Sequence, residues 1–219
     1  MLNVGLTGGI ACGKSTVAGM FVKNGAYLID FDVLAHKVQE PGKPAWQKVV
    51  ACFGQDILQA DGRIDRNKLG SIVFGDKRKI KALSKIVHPF VYQEWQAQLE
   101  KIGKKEKHAI VMADVPLLFE GKKQKLFDLT VLVVIEPEEQ IHRLMTRNHI
   151  SRDEAQKRLK SQMPIGEKKV LADMVIENRG TMAETEKAVK KVWRELVQRE
   201  KVKSKSLMVN SVRIPDDKT

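Results

Sequence analysis

The stretch Gly8-Gly9-Ile10-Ala11-Cys12-Gly13-Lys14-Ser15, followed by Thr16, decides the reading of this chain. It fits G-x-x-x-x-G-K-(S/T), the Walker A pattern. Glycines let the backbone turn sharply and press amide hydrogens against phosphate oxygens, the lysine reaches the β- and γ-phosphates, and the hydroxyl serves Mg²⁺. Gly8, Gly9, Ala11, Cys12, Gly13, Lys14, Ser15 and Thr16 are therefore candidates for binding a nucleoside triphosphate. The flanks agree with this, because residues 2–7 form a short apolar strand pattern and Val17, Met20 and Phe21 recur at helical spacing before Gly25. The loop joins strand to helix, and the helix N-terminus adds its partial positive charge to the phosphate site. Lys14 is expected at a solvent-accessible helix start. The Cys12 thiol is incidental to this chemistry, although a helix N-terminus can acidify it.

Working outward, residues 26–30, 108–114, 129–135 and 172–176 read as four more buried strands. Their alternation with helical patterns predicts an α/β fold with a five-stranded parallel sheet and a ligand crevice at the carboxyl ends of the strands. Asp30, Asp32 and Asp114 fall at such ends. Between the second and third strands lie helical patterns at 45–53, 67–73 and 80–102, which predict a helical insertion. Within it Pro89 is expected to restart a helix as its first residue.

Ile110-Val111-Met112-Ala113 before Asp114 is the Walker B pattern, which would reach Mg²⁺ directly or through water; apolar runs ending in Asp also occur at ordinary strand ends. Ser15 is the stronger Mg²⁺ candidate. After the fourth strand, Glu136-Pro137-Glu138-Glu139 opens a helix carrying Arg143 and Arg147 on one side. Ser151-Arg152-Asp153-Glu154 is a capping box that opens another, basic helix. A small kinase would place its lid here. The alternative is a solvated cationic surface.

Composition bounds the rest. The 219 residues are 42% hydrophobic and 30% charged, enough for a sizeable core in one domain with insertions. The net charge of +12 favours an anionic partner: phosphate ester, nucleic acid or membrane surface. Two cysteines far apart in sequence suit a reducing, cytoplasmic setting rather than a disulfide framework or zinc site. No secretory signal opens the sequence and no apolar run approaches a membrane span. The eight basic residues between 187 and 205, against two acidic ones, raise a nucleic-acid rival. Val189, Val192, Leu196 and Val197 give that stretch an ordinary amphipathic face, with few aromatics for base stacking. A regulatory GTPase is disfavoured because Asn67-Lys68-Leu69-Gly70 lacks the aspartate of a guanine-reading N-K-x-D.

From about Val4 to about Val197 the chain resembles the dephospho-CoA kinases. The resemblance rests on Gly5-Leu6-Thr7-Gly8-Gly9-Ile10, Ile29-Asp30-Phe31-Asp32, Pro41-Gly42, Phe53-Gly54, Asp61-Gly62 with Asp65-Arg66, and His88-Pro89. It continues through Asp114-Val115-Pro116-Leu117-Leu118-Phe119-Glu120 and Ala172-Asp173 to Asn178-Arg179-Gly180. It implies transfer of the γ-phosphoryl of ATP, with Mg²⁺, to the ribose 3′-hydroxyl of dephospho-CoA, by a cytoplasmic enzyme with monomer as the favoured state. No specific nucleic acid or membrane partner is implied.

The implied layout is a P-loop NTPase core over 1–34, 104–142 and 172–200, a helical acceptor domain over 35–103, a small helical lid over 143–171, and a tail over 201–219 without assigned role. Asp32 resembles the family's catalytic aspartate, with Asp30 as competitor or helix cap. Arg143 is the preferred lid arginine for transition-state charge, with Arg147 the alternative. Thr7, Asp32, His88, Leu117, Phe119 and Glu120 are implied at the acceptor, His88 alternatively as a structural cap. Asn178 and Gly180 belong to a loop resembling the one that holds adenine. The family usually has glycine and serine where this chain has Ala11 and Cys12, and often arginine where it has His36; the alanine is tolerable if position 11 keeps φ below zero.

Overall fold

Leu2, Val4 and Leu6, spaced by two, lie fully inside the computed structural model and begin the central strand of its sheet. Residues 1–211 are described; the end of the expected tail, 212–219, lies outside the described residues. Strand β1 (Leu2–Gly8) passes through the glycine loop into α1 (Lys14–Lys23) and β2 (Tyr27–Asp30). Four helices follow: α2 (Phe31–Val38), α3 (Pro44–Phe53), α4 (Arg66–Val73) and α5 (Lys77–Lys105). The chain then forms β3 (Ile110–Asp114), β4 (Leu129–Val134), α6 (Pro137–Asn148), α7 (Arg152–Lys160), α8 (Ile165–Leu171), β5 (Met174–Glu177) and α9 (Met182–Ser211).

The strands lie in the order β2-β3-β1-β4-β5, giving the expected five-stranded parallel sheet. Register pairs Leu6 of β1 with Asp114 on one side and Val131 on the other. Every residue of β3 and β4 is buried, as parallel strands covered on both faces require. The chain leaves β1 toward one edge and later crosses to the other, so the switch point sits at the end of β1, where the glycine loop starts. Helices α1 and α9 close one face: Val17, Phe21, Val189 and Leu196 are fully buried against Val4, Val131 and Ile176.

Several boundaries differ from expectation for identifiable reasons. β2 is an edge strand rather than a buried one, with Leu28 41% exposed and Ile29 alone buried among its apolar residues. β5 begins at Met174 because Ala172 ends α8, while the Asp173 carboxylate accepts from Thr130 N and Oγ1 at 2.7 Å each. Pro89 does not start a helix: α5 runs through it unbroken. The buried stripe Val87, Val91, Trp95 continues across the proline, so packing offsets the hydrogen bond its missing N–H removes. α5 instead starts behind Asp76, whose Oδ1 accepts from Arg78 N at 2.8 Å and Lys79 N at 3.3 Å. α9 runs on through Ser211, past the expected tail boundary at 200/201.

The chain divides into two compact units, one of Met1–Ile29 with the chain from Ile102 onward, the other of Asp30–Lys101. In the second unit Asp30 caps α2 and Asp65 caps α4 through their side chains. Phe31 packs against Trp95 at 5.4 Å between ring centroids, and Leu58 and Ile64 form an antiparallel bridge. In the first unit α6 and α7 share a small core of Ile141, Leu144 and Ala155, against which Ile10 and Ala11 of the glycine loop pack. The helices over 143–171 thus touch the loop directly. No helix among the described residues is long and apolar enough to cross a membrane.

Candidate active site

The glycine loop is shaped by what surrounds it. A Cβ on Gly8 would collide with Cys12 Sγ and stand 2.8 Å from the Val133 carbonyl; one on Gly9 would strike Gln140 Nε2. Gly13 has φ 83°, and a Cβ there would strike Asn178 Nδ2. Ala11 does not meet that condition: its φ is 57°, in the left-handed region where a side chain costs about 1–2 kcal/mol. The methyl is nonetheless retained by packing against the α6–α7 core.

Cys12 follows Ala11 in the loop. Its side chain is buried, and that burial pushes the thiol up from its ordinary value despite the Lys14 amide and ammonium nearby. Burial outweighs the helix N-terminus, so the thiol is not acidified, in keeping with its incidental place in the phosphate chemistry. The Cys12 carbonyl accepts from Asn178 Nδ2 at 2.8 Å, while Asn178 Oδ1 accepts from Thr185 Oγ1 at 2.7 Å. Asn178 therefore works through its side chain as a brace on the loop. Next to it Gly180 takes φ 77°, ahead of the reciprocal cap between Thr181 and Glu184 that starts α9.

Lys14 opens α1 and its Nζ contacts Asp114 Oδ1 at the end of β3. The lysine side chain is 18% exposed, so it is half-enclosed rather than freely accessible. An ammonium has three donors, which leaves two for a phosphate. Ser15 and Thr16 follow on the exposed first turn. The hard oxygens of Ser15 and Asp114 suit Mg²⁺, which takes one or two protein ligands and completes its shell with phosphate and water.

Arg143 NH1 lies 3.5 Å from where a Gly13 Cβ would stand, and its Nε donates to Glu139 at 2.9 Å. Arg147 instead donates to the adjacent Asn148 at 3.0 Å. Of these two arginines of α6, the fold brings Arg143 to the phosphate loop.

The expected acceptor residues belong to both units. Thr7 is buried, with Oγ1 donating to the Pro116 carbonyl at 3.2 Å, and Phe119 is buried in the same loop. Neither presents a surface to a ligand; both hold the segment that follows β3. Glu120 Oε1 is engaged by Met163 N at 3.2 Å and by Lys168 Nζ at 2.6 Å. Leu117 is 51% exposed. In the second unit, Asp32 is exposed on the first turn of α2 and its carboxylate has no hydrogen bond among the described residues. Asp30 is the cap, its Oδ1 accepting from Asp32 N at 2.8 Å and Val33 N at 3.1 Å. His88 lies inside α5 rather than at the start of a helix, 6.1 Å from the Tyr92 ring.

Three residues escaped the sequence reading. Gln140 Nε2 donates to the Ile10 carbonyl at 2.7 Å, and Gln162 Oε1 accepts from the Ile10 amide at 2.9 Å, gripping one loop residue from both sides. Lys168 is 1% exposed. Gln140 could have been found from its place beside Ile141 on the buried face of α6; Lys168 sits in a basic run that reads as surface.

A strand, a glycine cradle, a lysine, a strand-end carboxylate and an arginine of α6 beside the cradle make this a P-loop kinase. A family model described as dephospho-CoA kinase matches residues 2–184. The chain belongs to that family. A dephospho-CoA kinase from Syntrophus aciditrophicus (strain SB) is 48% identical over 206 residues, covering 94% of this chain and 88% of its own. The structure of TT1252 from Thermus thermophilus superposes with a TM-score of 0.75 at 35% identity, covering 88% of this chain and 96% of that one. That of a dephospho-CoA kinase from Campylobacter jejuni gives 0.60 at 28% identity, covering 89% and 97%.

Proposed function

We infer that the protein transfers the γ-phosphoryl group of ATP to the ribose 3′-hydroxyl of dephospho-CoA, releasing CoA and ADP. The observation that carries this reading is the braced phosphate loop, with Lys14 at its end and Arg143 beside Gly13, in a chain whose family match spans residues 2–184.

Phosphoryl transfer is mostly positioning and charge neutralisation. Loop amides and the start of α1 hold the phosphates, and Lys14 meets the β- and γ-groups. Mg²⁺, held by Ser15 and Asp114, would neutralise phosphate charge. Arg143 takes up charge that develops on the transferred group. Asp32 orients the 3′-hydroxyl and accepts its proton as that oxygen bonds to phosphorus and the bond to ADP breaks. The free, exposed carboxylate of Asp32 supports this assignment, as does the engagement of Asp30 in capping. Leu117 and His88 contact the acceptor, with Thr7, Phe119 and Glu120 supporting from behind. The loop Asn178 to Gly180 borders the adenine.

The proposed setting is the cytoplasm, consistent with two free cysteines, and the proposed state a monomer. A specific nucleic-acid role is not favoured. Val189 and Leu196 of α9 are core residues, and Lys190, Arg199 and Lys203 pair with Glu186, Glu195 and Asp128. ADP release with dephospho-CoA, adenosine and AMP as parallel acceptors tests the reading. Dephospho-CoA should give the highest kcat/KM; preference for either smaller acceptor would assign the loop to another kinase reaction.

A further inference from the structure

Lys168 has no place in the chemistry above, yet it is the most enclosed cation among the described residues, at 1% exposure. It stands on α8 and pairs with Glu120, in the segment after β3, at 2.6 Å. The same Glu120 oxygen accepts from the Met163 amide at 3.2 Å. Glu120 Oε2 and Lys168 Nζ are both buried without a hydrogen-bond partner among the described residues, so charge rather than a directed hydrogen bond holds the pair. Beside Met163, Gln162 accepts from the amide of Ile10, whose carbonyl is taken by Gln140. A cavity of about 400 Å³ runs along these contacts, lined by Gly9, Gln140, Gln162 and Lys168. The positive charge of Lys168 is felt at Cys12, inside the phosphate loop.

Stability alone does not account for this pair. Removing two charges from water offsets much of their attraction, and apolar residues of the same volume are often as stable. What an apolar pair would not supply is a fixed attachment point at one end of the 162–168 segment. The other end of that segment grips the loop at Ile10, immediately before the left-handed Ala11.

We propose that Lys168 is a positioning residue for phosphoryl transfer: its ion pair with Glu120 anchors the lid segment so that Gln162 holds Ile10 and the phosphate loop keeps its curvature. The inference rests on the kinase reading and deepens it. It acts on nucleotide geometry, so it is measurable without the acceptor.

The test compares Lys168→Met, Lys168→Arg, Gln162→Ala and the charge-neutral double variant Glu120→Gln/Lys168→Met by kcat, affinity for a fluorescent ATP analogue, and thermal midpoint. Lys168→Met should lower kcat about tenfold or more and weaken nucleotide affinity about threefold or more, with Lys168→Arg restoring most of both. Gln162→Ala should reproduce the kcat loss with little change in midpoint, and adding it to Lys168→Met should cost almost nothing further. The double variant decides between positioning and mere stability. It removes the uncompensated charge, so its midpoint should recover while kcat and affinity stay low. Recovery of kcat and affinity together with the midpoint would overturn the proposal, as would wild-type values in Lys168→Met. If the wild type transferred nothing to dephospho-CoA, the kinase reading would fail, and nucleotide affinity would still judge Lys168.

Discussion

Asn178 donates through Nδ2 to the Cys12 carbonyl at 2.8 Å, across 166 residues of chain. The bond ties the loop after β5 to the phosphate loop after β1. The same side chain receives the Thr185 hydroxyl, and Thr185 is buried, so the brace is anchored in α9.

Asn178→Ala removes both hydrogen bonds and leaves the buried Thr185 hydroxyl one partner short. Stability should fall by about 1–3 kcal/mol, the range for an unmet buried polar group. ATP affinity should weaken because the loop is no longer held. Chemical denaturation together with nucleotide titration measures both; wild-type affinity would remove Asn178 from the binding machinery.

Ala11 at φ 57° carries backbone strain that glycine lacks. Ala11→Gly should stabilise the protein by up to about 1 kcal/mol, the relief of strain being partly offset by the freer unfolded chain. Turnover should change little. A lower thermal midpoint for the glycine variant would mean that contact of the methyl with the α6–α7 core outweighs the strain.

Burial pushes the Cys12 thiol up and covers it, so it reacts more slowly than an exposed thiol. Cys52 is exposed. Timed alkylation near pH 8 should modify Cys52 alone in the native protein and Cys12 only after denaturation. Rapid modification of Cys12, with loss of ATP binding, would contradict the buried assignment.

The two aspartates at the end of β2 should behave differently. Asp32→Asn should lower kcat by roughly 10² to 10⁴ fold with ATP affinity preserved. Asp30→Asn should be mild because asparagine caps as well as aspartate, whereas Asp30→Ala should cost about 1 kcal/mol of stability. Collapse of turnover in Asp30→Asn with a small effect in Asp32→Asn would exchange the roles.

Local pattern made much of this legible. The Walker A spacing, the apolar runs of β1, β3 and β4, and the Ser151–Glu154 cap are encoded within a few residues, and the structure has them where the pattern does. The misses depend on distant partners. Pro89 continues a helix because Val87, Val91 and Trp95 are buried by the rest of the fold. Lys168 looks like a surface lysine until Glu120 is placed beside it. Thr7 and Phe119 resemble ligand contacts in sequence, and only burial distinguishes a residue that touches a ligand from one that supports the loop.

The central claim is that the phosphate loop delivers the γ-phosphoryl of ATP to one hydroxyl. Incubation of γ-labelled ATP with dephospho-CoA, followed by treatment of the product with a 3′-nucleotidase, tests it most directly, with Lys14→Ala as the paired control. The account predicts label in CoA that the nucleotidase releases completely, and near-complete loss of transfer in a folded Lys14→Ala variant. Label released to water, label resistant to the nucleotidase, or wild-type transfer without Lys14 would contradict it.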